Sequence, residues 1–100
     1  MSSSPWAELL AASDRIQDDP SAAPAAIRAL QAAVEALGHL KAPLDLDDRH
    51  AVVALLASGS AGLAALLGAA EGAGQRSVLR SAFQLRTTTA RLAAELARVM

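Results

Sequence analysis

The chain has 100 residues and a formal net charge of −1, which allows one domain around a single core. Cysteine is absent, which excludes a disulfide framework and thiol chemistry and fits a reducing compartment. Trp6 and Phe83 are the only aromatics, so the core has to be built from Leu, Val, Ile and Ala on closely spaced backbones.

The start, MSSSPWAELL, lacks a basic segment ahead of an apolar run and does not read as a secretory signal. Four helices are predicted, at about 5–17, 21–40, 46–72 and 75–100. Ser4-Pro5 opens the first, with serine as cap and proline at the first helical position. Trp6, Leu9, Leu10, Ser13 and Ile16 follow at helical spacing, and Asp18-Asp19-Pro20 ends the segment. Ser21 is the expected cap of the second helix. Its seam is Ile27, Leu30, Val34 and Leu37, and Gly38 is its expected C-terminal cap.

The third helix starts with Asp45 or Asp47 as cap, and further acids suit its positive end. From Ala51 to Ala70 it then runs twenty residues without a charge. Such a helix is expected to be buried on nearly all sides, in the centre of the fold, or to cross a bilayer. A chain this short has too little mass to cover it completely, which points to self-association or a partner. Ser58-Gly59-Ser60-Ala61-Gly62 is a poor helix former. The leucines on either side nevertheless keep one face, so a continuous or slightly bent helix is expected. Gly59, Ala61, Gly62 and Ala65 would admit a close helix crossing, within the fold or across a two-fold axis.

Gly72 and Gly74 supply the turn into the fourth helix, from about Gln75. There Val78, Ala82, Leu85, Thr89, Leu92, Leu96 and Val99 form one stripe. Leu79, Phe83, Arg86, Ala90, Ala93, Ala97 and Met100 form a second beside it. Together they make a broad apolar face with heptad spacing. Arg86 interrupts it and is expected at a rim or, if buried, beside Asp14, Glu35 or Glu71.

Charge is unevenly spread. Residues 1–73 carry four basic groups against nine acidic ones, and residues 74–100 carry five arginines against Glu95. The asymmetry suits either packing of the last helix on its own acidic fold or a basic face for an acidic partner.

Catalytic and metal motifs fare poorly. Glu35/His39 and Asp47/His50 share helical faces, but neither reproduces the Glu-x-x-His motif and further glutamates of di-metal bundles. Ser60 lacks the residue spacing, the preceding strand and the base of a nucleophile elbow. No catalytic, cofactor or metal site is therefore expected.

The sequence thus predicts an all-α, four-helix up-and-down bundle-like domain with a short first helix. The expected function is a non-enzymatic, cytoplasmic protein–protein interaction module. It would act as a homo-oligomer or as a small adaptor or accessory subunit of a larger bacterial assembly, the bacterial origin resting on the Ala, Leu, Arg and Gly usage. Phe83, Leu85, Leu92, Leu96, Gly59 and Gly62 are the expected interface, and Arg80, Arg91 and Arg98 the charged contacts. One alternative is a nucleic-acid-associated accessory subunit using those arginines, opposed by the net acidity and by the lack of interleaved aromatics. A second is a single-span membrane-associated protein through 51–70, opposed by serines and glycines at its centre and by missing aromatic anchors.

Overall fold

The computed structural model describes residues 5–40, 42–73 and 76–99. It contains four α-helices: α1 (Pro5–Asp18), α2 (Ala23–Gly38), α3 (Leu46–Ala73) and α4 (Arg76–Val99). A 3-10 turn, Pro20–Ala22, precedes α2, and no strand occurs among the described residues. The all-α four-helix bundle with a short first helix is the architecture expected. The anticipated cap Ser4, the turn residue Gly74, the start at Gln75 and the stripe end Met100 lie outside the described residues.

The helix ends follow local hydrogen-bonding chemistry, though not always through the expected residues. Ser21 does not cap α2, which begins after Ala22 with no side-chain cap. Instead the Ser21 N–H and hydroxyl both donate to Asp19 Oδ1, at 3.0 and 2.7 Å. The Ala22 N–H donates to the Asp19 carbonyl at 3.0 Å. Asp19 therefore organises this corner.

Gly38 is likewise no cap. It is the last helical residue, and His39 follows in right-handed backbone at φ −95°. The His39 N–H is shared between the carbonyls of Glu35 and Ala36, and Leu40 N–H donates to Leu37 O. This tightening into a 3-10 turn satisfies carbonyls without a left-handed glycine. At α3, Asp45 is the cap: its Oδ1 accepts the Asp48 N–H at 2.9 Å.

Each hairpin is antiparallel, α1 against α2 and α3 against α4, and both pairs pack together. The two hairpins then meet with like directions side by side. α2 lies along α4, because Gln31, Val34 and Glu35 share a groove with Gln84, Thr87, Thr88 and Arg91, while Leu37 at the end of α2 meets Arg98 at the end of α4. α1 accordingly runs parallel to α3. α2 and α3, consecutive in the chain, sit across the diagonal and scarcely touch. α3 is therefore a corner helix, not the central one expected, and α1 and α4 are its principal neighbours.

Helix lengths reinforce this. At ~1.5 Å per residue, α1 and α2 are about half as long as α3. Their hairpin covers one side of the α3/α4 pair and leaves the tip of that pair to project, in a molecule 44 Å long and 16 Å thin.

The core contains Trp6, Ile16, Ile27, Leu30, Leu37, Val52, Leu55, Leu66, Leu85, Leu92 and Leu96. Buried Thr88 is satisfied by donating to Gln84 O at 2.8 Å, and Thr89 donates to Leu85 O at 2.7 Å.

α3 is continuous through Ser58–Gly62. Both glycines there are buried, and each makes room for a neighbour. A Cβ on Gly62 would fall inside the Ile16 side chain. A Cβ on Gly59 would lie 3.0 Å from Thr89 Oγ1 and 3.3 Å from Leu30 Cδ1. Beside this notch the Ser58 hydroxyl donates to the Asp14 carboxylate, tying α1 to α3. The small residues thus serve a close crossing within one chain.

Two predictions follow from this geometry. Gly62→Leu should lower unfolding free energy by ~1–3 kcal/mol or more, because β-branched Ile16 cannot retreat. Gly38→Ala, which meets open space, should be neutral or stabilising, and denaturant titration of both variants checks the contrast. For the corner before α2, the Ser21 hydroxyl and N–H hold the Asp19 carboxyl below its ordinary value of 3.8. Its stabilising contribution is in place above that value and fades as pH falls through the lowered folded-state pKa. Ser21→Ala should raise the Asp19 pKa toward 3.8, as read by NMR titration of the carboxyl.

Candidate functional site

The seating of α3 decides which of its uncharged positions face outward. Val52, Leu55, Ser58, Gly59, Gly62, Leu66 and Ala70 point into the bundle. On the opposite arc Val53, Ala57, Ser60, Ala61, Ala64, Leu67 and Gly68 are exposed. Val53 is 45% and Leu67 48% accessible, values high for large apolar side chains on a folded chain. The expectation of a helix buried on nearly all sides is thus corrected. Only 33% of its apolar window, within Leu46–Glu71, is buried, although the helix is long and apolar enough to cross a membrane.

α4 divides the same way along its two stripes. Ala82, Leu85, Leu92, Leu96 and Val99 are buried, with Val78 and Thr89 partly so. Leu79, Phe83, Arg86, Ala90, Ala93 and Ala97 are all exposed, Phe83 at 71% and Leu79 at 50%. At 100° per residue, the buried stripe and the second stripe are roughly a third of a turn apart. The second stripe therefore lies on the side of α4 away from α2. Since α1 and α2 both cover the other side of the α3/α4 pair, the exposed arcs of α3 and α4 adjoin on its open outer face.

This sorts the residues expected at an interface. Phe83 is on the outer face. Leu85, Leu92 and Leu96 are not available to a partner, being buried in the core of the single chain. Gly59 and Gly62 are also buried, against Thr89, Leu30 and Ile16. The heptad pattern located α4's apolar positions correctly but could not say which of two adjacent stripes turns inward. Val53, Ala57, Ala64 and Leu67 were missed as surface residues, because an uncharged helix gives no polar marker for its solvent side.

The arginines separate too. Arg80 and Arg91 are exposed. Arg98 is engaged within the chain: Nη2 donates to Leu37 O at 2.7 Å and Nε to Glu95 Oε2 at 3.0 Å. It completes the C-terminus of α2 from a distant helix, where a positive charge also suits the dipole. Arg86 stands exposed within the outer stripe. Asp14, one of its suggested partners, accepts from Ser58 instead.

A shallow groove of about 430 Å³ runs between α2 and α4, lined by Gln31, Val34, Glu35, Phe83, Gln84, Thr87, Thr88 and Arg91. Its polar lining sets it apart from the outer face, with Phe83 at their shared border. His39 and His50 are exposed, and among the described residues no three His, Asp or Glu side chains gather as metal ligands. No family model, curated protein or solved structure matches the chain.

Arg98→Ala should lower the unfolding free energy by about 1 kcal/mol, since it removes the shorter of the two hydrogen bonds to the Leu37 carbonyl and leaves only the Leu40 N–H at 3.3 Å. Arg80→Ala and Arg91→Ala should each stay within ~0.5 kcal/mol of the parent. Chemical denaturation of the three variants checks the division into structural and surface arginines.

Proposed function

We propose that this chain is a non-enzymatic helical interaction module whose working surface is the outer face of the α3/α4 hairpin. The observation that carries the reading is the exposed arc of an uncharged helix beside the exposed Leu79, Phe83, Ala90, Ala93 and Ala97 stripe. Two adjacent helices presenting apolar residues form a shallow seat of the kind that receives a helix or a helical pair. Contiguous apolar surface of this extent is characteristic of an interaction site.

Energetically, Phe83 and Leu79 are the anchors, because a large side chain moved from solvent to a packed interface yields the most. Ala57, Ala61 and Ala64 contribute close approach rather than area. Arg80, Arg91 and Arg86 border the seat and would set orientation and association rate against an acidic partner. A cytoplasmic adaptor or small subunit of a larger assembly fits this division of labour.

A photo-crosslinking residue at Phe83, in the full chain expressed in cells, should give a protein adduct on irradiation. The same residue at Glu8, on the exposed side of α1, should not. Absence of any protein adduct at position 83 would overturn the reading.

A further inference from the structure

We propose that the outer face of the α3/α4 hairpin receives one acidic amphipathic helix of another protein, laid along the pair with carboxylates on both borders of its apolar stripe. The inference rests on the interaction reading above and deepens it by naming the chemistry of the partner. Charge, relief and spacing on the face carry it.

Charge sets the sign of the occupant. Arg76, Arg80, Arg86 and Arg91 are all exposed on α4, whereas Glu71 is the acid on the outward line of α3. None of the four arginines is ion-paired among the described residues. The face and its α4 border are therefore basic, and a complementary occupant has to bring carboxylates. A second copy would bring the same arginines instead.

Relief gives the occupant a foothold. A shallow depression of about 400 Å³ on the outward side of α4 is lined by Phe83, Arg86, Thr87, Ala90, Arg91 and Ala94. Ala90 and Ala94 are its small members and Phe83 its large one. Arg86 and Arg91 are five residues apart, about 140° around the helix, so they flank the depression from opposite sides. An apolar side chain fits between them, and an acid on each side of it would meet a guanidinium. An amphipathic helix offers that pattern, because acids three or four residues from a leucine border its apolar stripe on both sides.

Spacing gives the occupant its length and direction. The large apolar side chains exposed among the described residues are Leu46, Val53, Leu67, Leu79 and Phe83. Leu46, Val53, Ser60 and Leu67 are seven apart and make one outward line along α3. Phe83, Ala90 and Ala97 make the matching line along α4. Two such lines side by side form a long, narrow apolar track, and a seven-residue repeat is the period at which a helix packs lengthwise at a shallow angle. The track is one helix wide, and the arginines of α4 stand along its border.

A display library of ~20-residue amphipathic helices, selected on the purified full chain, tests the partner. The library carries leucine and alanine on the stripe and Glu, Gln or Lys at the border positions. Glu should dominate those borders among the binders. The selected helices, made as labelled peptides, should bind more weakly as salt rises. They should lose at least ~10-fold in affinity on Phe83→Ser. On a chain carrying Arg80→Glu, Arg86→Glu and Arg91→Glu, all at exposed positions, the preference should turn to Lys with helical circular dichroism unchanged. Gln or Lys helices that win on the parent chain and are lost with Phe83→Ser would overturn the acidic partner and leave the interaction reading standing. A preference for Glu that persists on the triple variant would overturn the role of these arginines. Selection of no helix overturns the helical occupant. Capture of the chain by vesicles of anionic phospholipid would then assign the face to a lipid surface, and a dimer in light scattering would assign it to a second copy. A protein adduct at position 83 in cells would still uphold the interaction reading, whereas no helix and no adduct defeat both.

Discussion

Ile16 seated against Gly62 is the contact on which the arrangement turns. Side chains at both glycine positions would hold α1 and the α2/α4 pair away from α3. With hydrogen there, α1 comes close enough for Ser58 to reach Asp14. Leu30 and Thr89 also close around Gly59. That choice of inward side fixes the rotation of α3 about its own axis, and so fixes what remains outside. An uncharged helix has no polar stripe to orient it. Here the orienting signal is size: the smallest residues mark the side that neighbours approach most closely.

Much of the fold could be read from periodicity and end chemistry. Pro5 and Asp45 mark helix starts at the observed limits, whereas Gly72, expected in the turn, is still inside α3; the stripe running from Val78 to Val99 is α4's inward side. The reading failed where a local signal had competition. Ser21 is a good cap by type, but Asp19 captures both its N–H and its hydroxyl. Gly38 is a good C-cap by type, but Arg98, sixty residues away in sequence, helps satisfy the helix end and removes the need for a left-handed residue. Neither outcome is encoded within a few residues of the site.

The candidate surface was legible only in part, for a related reason. Composition alone showed that so apolar a helix exceeds what a short chain can cover. It did not show where the deficit falls. Two features decide that: α2 and α3 lie across a diagonal, and the first hairpin is much shorter than the second. Both concern the assembly of whole elements. Phe83 was selected as an aromatic on an apolar stripe and lies on the surface; Leu85, Leu92 and Leu96 were selected by the same logic and lie in the core. One helical step of phase separates the two outcomes.

The diagonal placement of α2 and α3 also bears on how the chain reaches this state. Each hairpin joins neighbours in sequence, so its contacts close short loops and can form early at little entropic cost. The contacts between hairpins, Asp14 with Ser58 and Leu37 with Arg98, span 44 and 61 residues. They have no short-range intermediate, because the consecutive pair α2/α3 contributes almost nothing. The topology thereby separates two sets of local contacts from one long-range set, and the notch at Gly62 belongs to the long-range set. A change that weakens the long-range set alone would bare the second side of the α3/α4 hairpin, and apolar surface exposed in that way favours aggregation.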